Sequence, residues 1–496
     1  MIETILPAEM KALEESFMRE RGIPSVLLME KAAEAVADAL ADLCAQGSTV
    51  LFLCGPGSNG GDGYAASRIW AARGGRSLVW EISKTPRGDA GLNRALAVDA
   101  GVRIRCPEEV PTRLPHVSAV VDALFGTGLS RAPEGICAGL IRLVNASGVP
   151  VLAVDIPSGL DGETGIAPGD AIRADVTVTF HRVKAGLLLR DGCAYTGELR
   201  CAPILIPDAW GEAGGLSMLA EKDIASLLPV RSATGHKGSN GRCVLLVGSK
   251  GMAGAAALAA SACIRAGAGT VTVLCREAVL PFLQTLVPGA VCRVLPEIEN
   301  RLAPEAANIA ADALSRADAA CVGCGIGLTE DLLPLLAVFR NAECPVVWDA
   351  DALTLLAAHT DLLPLPAKDA VTPHPGEAAR LLDSPVSAIL GNPLKCLDAL
   401  YSRVGCRVIL KGARSLMRDG VRRAVNPIGT PALAKAGSGD VLSGILTALQ
   451  ARMPADLLPL QLACYLHAKA GQRAAAERGV DGTAPQDVAD AIRFQA

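Results

Sequence analysis

Short apolar runs, each closed by glycines or acidic residues and followed by a helical pattern, set the rhythm of the chain. TVLFLC (49–54) ends in the loop GPGSNGGDG, the helical stretch YAASRIWAARGG follows, and SLVWEI is apolar again. SAVVDALFGTGL and PVLAVDIPSGLDG continue the alternation. Runs that are apolar throughout and separated by helices predict parallel strands covered on both faces. Ahead of them, Met10, Leu13 and Phe17 share one helical face, which predicts a helix docked before the first strand. The rhythm restarts at residue 242 with RCVLLVGSKGMAGAAALAASACIRAGAGTVTVLC and continues through AACVGCGIGL, CPVVWDADAL, AVTPHPGEAARLL and CRVILKGARS. Between the halves, DAWGEAGGLSMLAEKDIASLLPVRSATGHKG has Gly pairs and no sustained strand pattern, which puts the boundary near 208–222. No sequence repeat links the halves, so two unrelated α/β domains are expected.

Composition narrows the class. Half of the 496 residues are hydrophobic, enough for more than one core. Lys and Arg number 47 against 51 Asp and Glu, a net charge of −4 that argues against a basic nucleic-acid-binding face. A phosphate-bearing ligand held by backbone amides needs no such excess. With 3% aromatics and 51 glycines, the composition suits a tightly wound α/β enzyme. The N-terminus, MIETILPAEMKALEESF, is polar from its third residue and does not resemble a signal peptide. The most apolar helical stretch, Met252 to Ala268, is broken by Arg265 and falls short of the roughly 20 residues of a membrane span. Sixteen cysteines then read as reduced thiols. A soluble, cytoplasmic protein with no membrane or nucleic-acid partner is expected.

Ligands of a parallel sheet bind where strand-end loops gather. Three such loops lie in the first half. Ser58, Asn59, Gly60, Gly61 and Asp62 stand directly before a helix, whose free amides favour an anion. Asp122 is followed by Gly126, Thr127, Gly128, Leu129, Ser130 and Arg131, and Asp155 by Ser158 and Asp161. A glycine turn is also simply a tight connection, and a strand-end Asp also a helix cap. Together, GPGSNGGDG, VDALFGTGLS and VDIPSGLDG resemble the NAD(P)H-hydrate epimerase domain over roughly residues 1–210. The resemblance implies a Rossmann-like domain over 1–212 acting on NADHX or NADPHX, reduced nicotinamide cofactors hydrated at carbon six. Ser58 to Asp62 and Gly126 to Ala132 would contact this substrate, and Asp155 would sit at the reacting carbon. A potassium ion would be held by Asn59, Asp122 and Ser158, all oxygen ligands. One departure is Ser58, where the family usually has Asn. The hydrated carbon bears both a hydroxyl and the ring nitrogen, so one acid/base group can open it and allow closure from the other face. Lys184, in FHRVKAGL, is either a charge partner of Asp155 or a solvated surface lysine.

In the second half, Ala436-Gly437-Ser438-Gly439-Asp440 opens the helical stretch VLSGILTALQ. Backbone amides at such a turn form an anion hole, with an Asp beside it as base for an accepting hydroxyl. The turn resembles the ribokinase-like superfamily. With HKGSNGRCVLLVGSKGMAGA, WDADAL, VTPHPGE and LKGARS, it is similar to ADP-dependent NAD(P)H-hydrate dehydratase over roughly 222–496. The resemblance implies a ribokinase-like domain over 220–496. His374, Asp440 and Gly325 would line the substrate pocket, while Lys411, Gly412, Ala413, Arg414, Ser415 and Gly439 would hold the nucleotide. Asp349 and Asp351 would either position a magnesium–nucleotide complex or simply cap a strand end. Cys321 and Cys324 form a CxxC with no second pair, and read as small residues packed in a turn where the family usually has Gly-Pro-Gly.

The expected architecture is therefore α/β, two three-layer domains in one chain. The expected activities are epimerisation of R and S NAD(P)HX and ADP-driven dehydration of the S form, an isomerase joined to a lyase, with K+ and Mg2+ as cofactors. A homo-oligomer is the expected state. The alternatives are a small-molecule alcohol kinase with a non-catalytic N-terminal binding domain, or a first domain that serves only as a scaffold.

Overall fold

The computed structural model describes residues 2–83, 85–129, 131–211 and 216–494. Two compact units result, Ile2–Leu216 and one beginning at Ser217.

The first unit is built on strands β1 (Thr49–Cys54), β2 (Arg76–Glu81), β3 (Arg103–Arg105), β4 (Ala119–Ala123), β5 (Val151–Val154), β6 (Val176–Phe180) and β7 (Glu198–Ala202). All pair in parallel, in the order β3-β2-β1-β4-β5-β6-β7. The order reverses between β1 and β4, the position where an open α/β sheet leaves a crevice at its carboxyl edge. Side chains of β1 alternate between two cores: Val50, Phe52 and Cys54 face one, Leu51 and Leu53 the other. Helix α1 (Pro7–Arg21) buries Met10, Leu13 and Phe17, the face the sequence marks. A second helix, α2 (Ser25–Leu43), was not anticipated. Gly22, at φ +64°, ends α1, and α2 buries Ala32, Ala33, Val36, Ala37 and Leu40. Helices α3 (Ser58–Ala72), α4 (Gly88–Asp99) and α5 (Gly135–Asn145) complete the layers.

The second unit contains β8 (Arg242–Leu246), β9 (Thr270–Cys275), β10 (Val291–Val294), β11 (Ala319–Val322), β12 (Val346–Trp348), β13 (Ala370–Val371), β14 (Arg407–Leu410), β15 (Leu416–Asp419) and β16 (Arg422–Val425). Their order is β10-β9-β8-β11-β12-β13-β14-β15-β16. Strands up to β14, the apolar runs of the sequence, are parallel; β15 and β16, beyond those runs, pair antiparallel. Helices α6 (Ala253–Arg265), α7 (Asp351–Ala358), α8 (Pro375–Leu381), α9 (Ser438–Gln450) and α10 (Leu457–Arg478) include those that carry the site. α6 and α9 approach so closely that a Cβ on Gly444 would lie 2.2 Å from the Ala259 carbonyl oxygen. Only glycine permits that contact. All sixteen cysteines are free, and no helix of the described residues is long and apolar enough to cross a membrane.

Candidate active sites

Helix α3 begins at Ser58, so Ser58 to Asp62 are its first turns and not a loop ahead of it. The glycines have a steric cause: a Cβ on Gly55 would stand 1.8 Å from the Leu124 carbonyl oxygen, and one on Gly60 would stand 1.9 Å from that of Gly55. The ends of β1 and β4 and the start of α3 thus meet backbone to backbone. Beside them opens a cleft of about 550 Å³. Its walls include Ser58, Asn59 and Asp62 of α3, Gly126 to Leu129 after β4, Asp155 after β5, and Lys184. Gly60 and Gly61 lie outside the wall, with Gly61 packed on Met29. Arg131 is exposed and Ala132 half-buried, and neither borders the cleft. Ser130 lies outside the described residues.

Asp155 adopts φ +63°, a left-handed conformation costly for a non-glycine residue. It is held there by its amide, which donates to the Val178 carbonyl at 2.7 Å. Its Oδ1 accepts from Thr179 Oγ1 at 3.0 Å and lies 2.7 Å from Lys184 Nζ. Lys184 is 2% exposed and also donates to the Phe180 carbonyl at 3.0 Å. It is therefore a buried charge partner and not a surface lysine. Asp122, fully buried at the end of β4, accepts from Ser158 Oγ at 2.6 Å and from Ser158 N at 2.8 Å. Burial raises its pKa to about 6 despite these bonds. The buried Asn59 Nδ2 has no partner. Burial also pushes Asp62 well above the usual carboxylate range, with Asp155 and Glu14 adding to the shift. Glu14 of α1, which the sequence reading did not single out, borders the same cleft.

In the second unit, Gly437 (φ +95°) precedes α9, and Ser438, Gly439 and Asp440 form its first turn. Asp349, 1% exposed at the end of β12, lies 2.8 Å from Lys411 Nζ and accepts from Ser443 Oγ at 2.7 Å. Glu377 approaches Lys411 at 3.7 Å. A Cβ on Gly439 would lie 3.2 Å from Lys411 Nζ, so the lysine sits under the glycine turn. Asp440 stands with Asp349 and Cys324, one ligand atom of each within 4.8 Å of the others. Burial first, and then the Asp349 charge, raise Asp440 to about 7, against a hydrogen bond from the Cys324 thiol. Asp351 accepts from Gly327 N at 2.8 Å. His374 caps α8: its Nδ1 accepts from Gly376 N at 2.9 Å and Glu377 N at 3.4 Å, and the ring is half exposed. Gly325 (φ +65°) packs on Met252 and Ala255. After Lys411, Gly412 and Ala413 are exposed, Arg414 donates to the Pro427 carbonyl, and the Ser415 carbonyl accepts from Asn426 N. His467 of α10 was also missed by the sequence reading. It is buried facing the Ser438 backbone and Lys411, and burial lowers its pKa to about 4.

The pairing of Lys411 with Asp349 carries a stability expectation. Lys411→Met leaves Asp349 buried without a counter-charge, a change that costs about 3–5 kcal/mol. Urea unfolding of the full chain checks it; an unchanged transition would mean that the pair is not needed for folding.

Known proteins agree with this division. Residues 25–186 match the family described as YjeF-related protein N-terminus, and residues 243–493 match NAD(P)H-hydrate dehydratase. The bifunctional NAD(P)H-hydrate repair enzyme of Moorella thermoacetica is 35% identical over 99% of this chain and 96% of its own. That of Escherichia coli is 35% identical over 94% of this chain and 88% of its own. The chain belongs to the bifunctional NAD(P)H-hydrate repair enzymes. A ribokinase-like superfamily protein from Enterococcus faecalis, 24% identical, covers 57% of the chain and 95% of its own length at a TM-score of 0.51, which shows the ribokinase-like fold of the second unit. Both halves of a repair enzyme are therefore present, and membership favours repair over an alcohol kinase.

Proposed function

We propose that residues 1–212 form an epimerase domain interconverting R and S NADHX or NADPHX, and that residues 220–496 form a dehydratase domain returning the S form to NAD(P)H. The observation that carries this reading is the acid at each glycine-lined strand edge, Asp155 on Lys184 and Asp440 beside the Asp349–Lys411 pair. In the first domain Asp155, held 2.7 Å from Lys184, is placed to exchange a proton with the oxygen on the hydrated carbon. Asn59, Asp122 and Ser158 suit a potassium ion: the donors are oxygens, and Asp122 is a fully buried carboxylate with no cationic side chain in its hydrogen-bond set. K+ there would supply positive charge beside Asn59, the one of the three that borders the cleft.

In the second domain Asp440 takes the substrate hydroxyl proton, and the oxygen attacks the terminal phosphorus of ADP. The amides of Ser438 and Gly439 stabilise the developing charge, at ~3–4 kcal/mol per donor. The ring nitrogen's lone pair then expels phosphate to give an iminium ion, and loss of a proton from carbon five to the departing phosphate restores the C=C bond, leaving NAD(P)H and AMP. His374 offers its exposed ring edge to the substrate, and Gly325 the floor. Lys411 to Ser415 and Gly439 border the nucleotide. Asp349, committed to Lys411 and Ser443, does not fit a magnesium ligand. Mg2+ enters this reading only as counter-ion of the nucleotide phosphates.

The base must be ionised, and Asp440 titrates at about 7. Dehydratase kcat/KM is thus expected to rise with pH to a plateau above that value and to fall about tenfold per unit below it. A flat profile from acid to neutral pH would remove Asp440 as the base. Supplying S epimer with ADP or with ATP tests the nucleotide: ADP is expected to support turnover with release of AMP and phosphate, and turnover with ATP alone would overturn the ADP assignment.

A further inference from the structure

Helix α1 has two working faces. Leu13 and Phe17 enter the core, Met10 is buried and also reaches the cleft, and Pro7, Lys11, Glu14 and Met18, at helical spacing, border the epimerase cleft. Glu14 is half-buried there and makes no hydrogen bond or ion pair with any described residue. Its charged surroundings are Lys184 and Asp155 from the sheet edge, Glu15 on its own helix and Asp62 from α3. A carboxyl withdrawn from water without a partner is costly, so it marks a place that a ligand completes.

We propose that Glu14 is the second proton carrier of epimerisation, acting from the α1 wall of the cleft while Asp155 acts from the sheet edge. This rests on the repair reading. When carbon six is inverted by loss and return of water, rather than by ring opening, one group protonates the departing hydroxyl and another deprotonates the water that replaces it. The Glu14 carboxyl gives its proton to the hydroxyl, the C–O bond breaks, and water leaves as the ring nitrogen's lone pair forms the N=C bond. A water then adds to the other face, its oxygen forms the new C–O bond, Asp155 takes its proton, and the electron pair returns to nitrogen. One proton has moved from Glu14 to Asp155; before the next turnover in the same direction Asp155 releases its proton to water and Glu14 takes one up.

The electrostatics agree. Burial raises Glu14 to about 7, so much of it is protonated near neutrality, while Lys184 sits directly on Asp155. Burial also raises Asp62, with the Asp155 and Glu14 charges adding to the shift.

The test uses the full chain, with R and S NADHX resolved by chromatography. Glu14→Gln is expected to lower epimerisation kcat about 100-fold with little change in KM, to leave dehydration of S epimer untouched, and to abolish the loss of epimerase rate as pH rises above neutrality. Glu14→Asp is expected to restore part of the rate. Wild-type kcat in Glu14→Gln, with Asp155→Asn inactive, would overturn the proposal alone. A wild-type chain without epimerisation would overturn the repair reading and this proposal with it, whereas an Asp155→Asn variant that retains it would remove Asp155 from the chemistry and overturn the two-group proposal while the repair reading stands.

Discussion

Asp440→Asn is expected to lower dehydratase turnover about a thousandfold while R and S hydrates still interconvert at the wild-type rate. The substitution keeps the shape and hydrogen-bonding capacity of the side chain and removes only its ability to take a proton. Misfolding is not expected to confuse the result. Asp440 titrates at about 7 because burial and the nearby Asp349 oppose its ionisation. An acid with a raised folded-state pKa weakens the fold as pH rises through that value, so a neutral amide relieves this cost at pH 8. The variant is therefore expected to unfold at or above the wild-type midpoint. Retention of more than a tenth of the wild-type dehydratase rate would exclude Asp440 as the base.

Asp155→Asn is expected to abolish epimerisation, by about a hundredfold or more, and to leave dehydration of S epimer unchanged. Asn is the right replacement because it tolerates the left-handed φ that Asp155 adopts, which Ala does not. The substitution does strand Lys184, 2% exposed, without its carboxylate, so a stability loss of about 3–5 kcal/mol is expected alongside. Pairing it with Lys184→Met separates the two effects. The double variant removes both charges and is expected to regain stability without regaining epimerase activity. Epimerisation at the wild-type rate in Asp155→Asn would remove the residue from the chemistry.

Much of this arrangement was legible because it depends on steric and periodic signals that neighbouring residues carry. Glycines 55 and 60 stand where backbones touch, and the apolar runs TVLFLC, AVVDA and VLAV are strands buried on both faces. Elements outside that pattern were harder to read. VTVTF alternates valine with threonine, yet all five residues are buried in β6, because Thr177 donates to the Thr196 carbonyl and Thr179 to Asp155. The antiparallel pairing of β15 with β16 follows from hairpin geometry at Asp419 and Gly420, a cue that the apolar runs do not contain. At the sites, single residues depended on tertiary partners. Lys184 became a buried partner only through the approach of Asp155, and His374 turned out to cap a helix. Glu14 and His467 carry no motif, and only the packing of α1 and α10 brings Glu14 to the cleft and His467 beside Ser438 and Lys411.

The central claim is that one chain returns both epimers to usable cofactor. The direct test gives the purified chain an equal mixture of R and S NADHX with Mg2+, K+ and ADP and follows the near-ultraviolet absorbance of NADH. Recovery of the whole mixture is expected. Recovery that stops at the S fraction would contradict the epimerase assignment, and no recovery with either ADP or ATP would contradict repair altogether.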